Sequence, residues 1–168
     1  MSSSAPFQIA RVAKRFRWEA AHRLPYHDGA CSHLHGHSYR MTVEVEGVVD
    51  DGGMVLDFQA IKKLVSPLVE VWDHATLVAA HDVELLGVVR QTGWKHFVFP
   101  ADTTSEHLAA FVADHLRSEG NDVLRRAGVR RVRVRLAETE TCYAEVERLV
   151  HETAPAGNGA ERSVEATP

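Results

Sequence analysis

The chain has 168 residues, 45% of them hydrophobic, which is enough for one domain with a substantial core and too few to favour two. Its 19 lysines and arginines face 23 acids, a net charge of −4, so no overall positive field marks it for nucleic acid or an anionic membrane. Two cysteines cannot build a disulfide scaffold, and the first fifteen residues hold no apolar run suited to a signal peptide or a membrane span; a reducing cytoplasm is expected, with small molecules or further copies of the chain as partners.

Residues 1–13 read as an N-terminal extension and 14–151 as a single domain. The segment 152–168, rich in Ala, Gly, Glu, Ser and Pro without apolar periodicity, reads as a disordered tail. In a strand, side chains two residues apart share a face. Phe16, Trp18, Ala20 and His22 therefore lie together on a first strand over about 12–22, and His35, His37, Tyr39, Met41, Val43 and Val45 on a second over about 35–48. If 23–34 turn back and the two strands pair antiparallel, three imidazoles meet at one end of the sheet within reach of one cation. H-x-H by itself is equally a pair of satisfied histidines at a strand end. The third histidine favours a metal, because imidazoles on an apolar face cost desolvation unless their nitrogens are used. Three nitrogens with a vacant position make an open, catalytic type of zinc site, for which Cys31 is the available fourth ligand.

Asp50 to Gly53 form a turn into a short extended piece over 54–56, and Asp57 is placed to cap a helix starting at Phe58. Phe58, Ile61, Leu64, Leu68 and Val71 recur at helical spacing over 58–71, where Pro67 is expected to kink or split the helix. Gly87, Gly93 and Pro100 break any period over 75–102, and Phe97 to Phe99 suggest a short strand. Thr103, Thr104, Ser105 and Glu106 have the form of a capping box that opens a second helix. Val132, Val134 and Leu136 alternate with Arg131, Arg133 and Arg135 as a half-buried strand, to which 141–149 pair as a hairpin around Glu140. Glu138 continues the apolar row, so a carboxylate emerges where it needs a partner or a ligand, with the arginines on the opposite face. The expected fold is α+β: a four-stranded antiparallel sheet in ββααββ order with two helices on one face.

Six segments, FRWEAAHRLPYHDG, CSHLHGHSY, Asp57-Phe58, Trp72-Asp73-His74, Thr103 to Glu106 and LAETETCYAEV, resemble in order the 6-pyruvoyl-tetrahydropterin synthase and 6-carboxytetrahydropterin synthase family of the tunnelling fold, over about 14–148. The resemblance implies zinc on His22, His35 and His37, proton transfer by Cys31, Asp73 and His74, and Glu138 as anchor of a pterin ring with Thr104, Ser105 and Glu106 close to it. It also implies self-assembly as a trimer or dimer of trimers, the sheets joining into a barrel. Three residues, Ser32, His33 and Leu34, separate Cys31 from the HGH pair, as in relatives that make 6-carboxytetrahydropterin on the route to queuosine; makers of the 6-pyruvoyl compound have a longer spacing. The implied activity is a zinc-dependent carbon–carbon lyase that converts 7,8-dihydroneopterin triphosphate to 6-carboxy-5,6,7,8-tetrahydropterin, acetaldehyde and triphosphate. A 6-pyruvoyl-tetrahydropterin synthase is the alternative, and a non-catalytic pterin- or purine-binding module with structural zinc a further one. Arg17, Arg23, Arg40 and Arg133 are the candidate triphosphate cations.

Overall fold

The computed structural model describes residues 8–150. Strand β1 (Ile9–His22) and strand β2 (His35–Val48) pair antiparallel over their whole length, from Ile9 against Val48 to His22 against His35. β1 starts earlier than expected, so Ile9 to Ala13, read as part of an extension, are ladder residues. The tail at 152–168 lies outside the described residues. After the Asp50 turn, closed by Gly53 N–H to the Asp50 carbonyl at 2.9 Å, residues 54–56 join no ladder; Val55 instead buries its side chain in the core.

Asp57 caps helix α1 (Phe58–Trp72), accepting from Gln59 N–H at 2.8 Å. The helix is not split at Pro67, which sits on its exposed side. Strand β3 (Ala75–Ala79), helix α2 (Val83–Thr92) and strand β4 (His96–Phe99) follow, then α3 (Ser105–Glu119), α4 (Asn121–Arg126), β5 (Val129–Ala137) and β6 (Tyr143–Leu149). The sheet order is β4-β3-β1-β2-β5-β6, with β3 parallel to both β1 and β4. Among the described residues, the expected four-stranded antiparallel sheet is thus the larger part of a mixed sheet of six strands, and the two expected helices are four.

Two apolar rows account for the layering. Trp18, Tyr39, Met41, Val43, Val45, Val132, Val134 and Leu136 face inward onto Ile61, Val65 and Trp72 of α1 and Leu108, Val112 and Leu116 of α3. Leu77 of β3 joins this core, whereas Val78, pointing the other way, packs on Leu85 and Val89 of α2. α2 therefore covers the opposite face of the sheet from α1 and α3, which corrects the expectation of helices on one face only. On the outward side of β2, β5 and β6, Arg131, Arg133 and Arg135 interleave with Glu44, Glu46, Glu145 and Glu147 as a ladder of ion pairs. No helix among the described residues is long and apolar enough to cross a membrane.

Candidate functional site

His22 ends β1 while His35 and His37 open β2, and the register sets His22 against His35 and Ala20 against His37. The three rings converge on the inward face with centroids 4.7, 5.2 and 4.8 Å apart, and one nitrogen of each lies within 4.8 Å of the others. Hydrogen-bond neighbours fix the tautomer of two of them. His22 Nδ1 is 2.8 Å from the Thr103 carbonyl oxygen and 3.2 Å from Thr103 Oγ1. A carbonyl only accepts, so Nδ1 carries the hydrogen and Nε2 keeps a lone pair. His35 Nδ1 donates to the His33 carbonyl at 2.7 Å in the same way.

His22 is 2% exposed and its Nε2 has no hydrogen-bond partner among the described residues. Burial, the largest influence on each, pushes His22 and His37 below the ordinary imidazole value, so both are neutral at neutral pH. Neutral, oriented imidazoles with an orphaned buried nitrogen fit a divalent cation of the zinc type, and these three residues would hold it. Cys31, in a short 3-10 turn (Ala30–Ser32), is half-buried and is not a member of the three-nitrogen group.

Glu138 emerges just past β5. Its carboxylate lies 3.9 Å from His22 Nε2, and the nearby arginines are engaged on the other face of the sheet. With Thr104, Ser105, Glu106 and Cys142 it lines a cleft of about 350 Å³. Four residues singled out from the sequence thus share one cavity. The helix cap differs by one residue from the expected box: Thr104, not Thr103, accepts from His107 N–H, at 3.3 Å. Thr103 is thereby left buried against His22.

Asp73 and His74 come directly after α1. Asp73 Oδ1 accepts from Glu19 N–H at 3.0 Å, and Oδ2 stands 3.0 Å from His74 Nδ1. The Glu19 N–H, more than His74, holds the Asp73 carboxyl below its usual range. His74 adopts φ 58°, in the left-handed region that side chains other than glycine seldom occupy. Its N–H donates to the Glu19 carbonyl at 2.6 Å, and the imidazole, largely exposed, lines with His37 a second cleft of about 400 Å³. Lys95 Nζ donates to the Asp73 and Glu70 carbonyls at 2.6 and 2.9 Å, a cation on the C-terminal end of α1.

Of the four arginine candidates, Arg23 is clamped by Asp82 and Glu84, and Arg133 by Glu44 and Glu147. Arg17 and Arg40 oppose each other on the outward face, away from the histidines. None of the four stands free on the inward face. Thr103, Lys95 and the Arg23–Asp82 pair escape sequence reasoning because each acts through contacts distant along the chain.

The model of the 6-pyruvoyl tetrahydropterin synthase family matches residues 11–149, and the chain belongs to that family of enzymes. Among its relatives, the 6-carboxy-5,6,7,8-tetrahydropterin synthase of Haemophilus influenzae is 29% identical over 143 residues, covering 80% of this chain and 96% of the relative. The enzyme of the same name from Aquifex aeolicus is 34% identical over 155 residues, with 80% and 95% covered. The crystal structure of 6-pyruvoyl tetrahydropterin synthase from Plasmodium vivax shares the fold, at TM-score 0.70 and 19% identity over 84% of this chain and 99% of that one.

Proposed function

We propose that the protein is a zinc-dependent lyase converting 7,8-dihydroneopterin triphosphate to 6-carboxy-5,6,7,8-tetrahydropterin, with release of acetaldehyde and triphosphate. The observation that carries this reading is the juxtaposition of three imidazoles, one with an orphaned buried nitrogen, and a carboxylate 3.9 Å away that has no arginine partner among the described residues. The two oxygens of Glu138 accept the paired N–H groups on the guanidine-like edge of the pterin, and Thr104, Ser105 and Glu106 line the same cleft. Zinc held by His22, His35 and His37 would serve as a Lewis acid on the hydroxylated side chain and acidify its C–H. Cys31 takes that proton as a thiolate. His74, oriented by Asp73, is the second acid and base.

The three-residue spacing after Cys31 and the names of the curated relatives favour the carboxy product over the pyruvoyl one, and with it a cytoplasmic role on the route to queuosine. Self-association completes the reading. β1 is partnered on its outer side by β3 only at Ala20 and Ala21, and the outer edge of β6 has no strand partner among the described residues. Joining these edges between copies, into a trimer or a dimer of trimers, removes both.

Cys31→Ala tests the catalytic reading against a binding module. Zinc content and pterin affinity should persist while turnover disappears. Turnover at the wild-type rate contradicts the assignment of the base, and loss of metal makes Cys31 a ligand.

A further inference from the structure

A second orphaned polar atom lies in the wall of the site. Tyr39 is fully buried, its ring stacked on Trp18 at 5.2 Å and set edge-on to His37 at 5.5 Å and His22 at 6.1 Å. Its hydroxyl has no hydrogen-bond partner among the described residues. A buried hydroxyl left this way keeps its whole desolvation cost, and phenylalanine would fill the same space without it.

The sheet register gives the hydroxyl a neighbour. Arg40 pairs with Ala137, so the next step along the two strands brings Tyr39 abreast of Glu138, both on the inward side. The Glu138 carboxylate lies 3.9 Å from His22 Nε2, the nitrogen free to face a cation. A carboxylate this close to the three-histidine group would be available to a bound cation as an oxygen ligand, which would close the open position and remove the carboxylate from the cleft. A carboxylate has about four lone-pair sites, of which the pterin edge uses two. One of the others remains for a phenol.

We infer that Tyr39 is a positioning residue whose hydroxyl, unpartnered in this structure, donates to Glu138 when the carboxylate turns off the three-histidine centre and toward the cleft that takes the pterin ring. This rests on the reading of Glu138 as ring anchor. It gives the buried hydroxyl an acceptor in the ligand-bound arrangement and gives the anchor a second contact besides the ligand.

The test measures binding of neopterin, by its fluorescence, to wild-type protein, Tyr39→Phe, Glu138→Gln and the double variant, each metal-free and zinc-loaded. Tyr39→Phe should melt no lower than wild type and hold zinc at wild-type stoichiometry. It should bind neopterin about tenfold more weakly, the worth of a hydrogen bond to a charged group. The loss should be larger in the zinc-loaded form, where the cation competes for the carboxylate, and should raise KM while leaving kcat near wild type. In the Glu138→Gln background the tyrosine substitution should change nothing further. Wild-type affinity of Tyr39→Phe in both forms overturns the inference while leaving the anchor intact. An equal added loss in the Glu138→Gln background also overturns it, since the hydroxyl would then act elsewhere. Failure of wild-type protein to bind neopterin at all overturns the anchor and this inference together.

Discussion

Asp82→Ala should cost the fold about 3 kcal/mol, a magnitude set by the contacts the carboxylate makes. The Asp82 side chain is 3% exposed; it receives Arg23 Nε at 2.7 Å and Nη2 at 2.6 Å, and caps α2 by accepting from Leu85 N–H at 3.1 Å. Breaking a buried pair costs about 3–5 kcal/mol and losing an N-cap about 1. Arg23 keeps Glu84 at 2.8 Å and reaches partly into solvent, which takes the total below that sum, to about 3 kcal/mol. At ~2–4 °C per kcal/mol for a domain of this size, melting should fall by roughly 6–12 °C. Asp82→Asn keeps the capping oxygen and should lose less. The pH dependence has a definite sign. Arg23, the largest influence, holds the Asp82 carboxyl below its usual range, so the contribution is full above the unfolded value of about 3.9 and is lost as pH falls through the lower folded value. Urea unfolding at fixed protein concentration should therefore show a constant gap between wild type and variant from neutral pH to about pH 4, narrowing below. A loss under about 1 kcal/mol at neutral pH, or a gap that widens in acid, would refute the idea that this ion pair ties the 80–102 segment to Arg23, the residue after His22.

Three further outcomes are expected. His22→Ala, His35→Ala and His37→Ala should each strip zinc, because two imidazoles hold the cation far less well than three; elemental analysis showing full occupancy in any one removes that histidine from the set. Glu138→Gln should weaken pterin binding by about tenfold or more, since the amide sets a donor against a donor, while Glu140→Gln, exposed beside Arg40, should change little; equal losses in a titration would mean the anchor is misassigned. Sedimentation should give a multiple of three chains, and a stable monomer at micromolar concentration contradicts assembly through the edges of β1 and β6.

The parts of this structure that are legible in the sequence are those written in local periodicity. The alternation around His22, His35 and His37 has period two, and strand pairing converts it directly into a cluster of rings. Glu138 is visible for the same reason, as a carboxylate in an apolar row. The 75–102 segment is not. β3 and β4 are short and β3 is wholly buried, so they show no alternation, and α2 rests on few apolar side chains, Leu85, Leu86 and Val89, with Gly87 among them. Parallel pairing of β3 with β1 is a contact between distant segments, which no local pattern encodes. Thr103 stands out in the sequence only as a cap; the tertiary approach of the start of α3 to the end of β1 turns it into the acceptor that fixes the His22 tautomer.

Incubating zinc-loaded protein with 7,8-dihydroneopterin triphosphate, and identifying products by mass spectrometry alongside an acetaldehyde assay, tests the proposed reaction most directly. The expected result is 6-carboxy-5,6,7,8-tetrahydropterin with one equivalent of acetaldehyde, and no turnover once a chelator has removed the metal. Formation of 6-pyruvoyl-tetrahydropterin without acetaldehyde, or undiminished turnover in the metal-stripped protein, would contradict it.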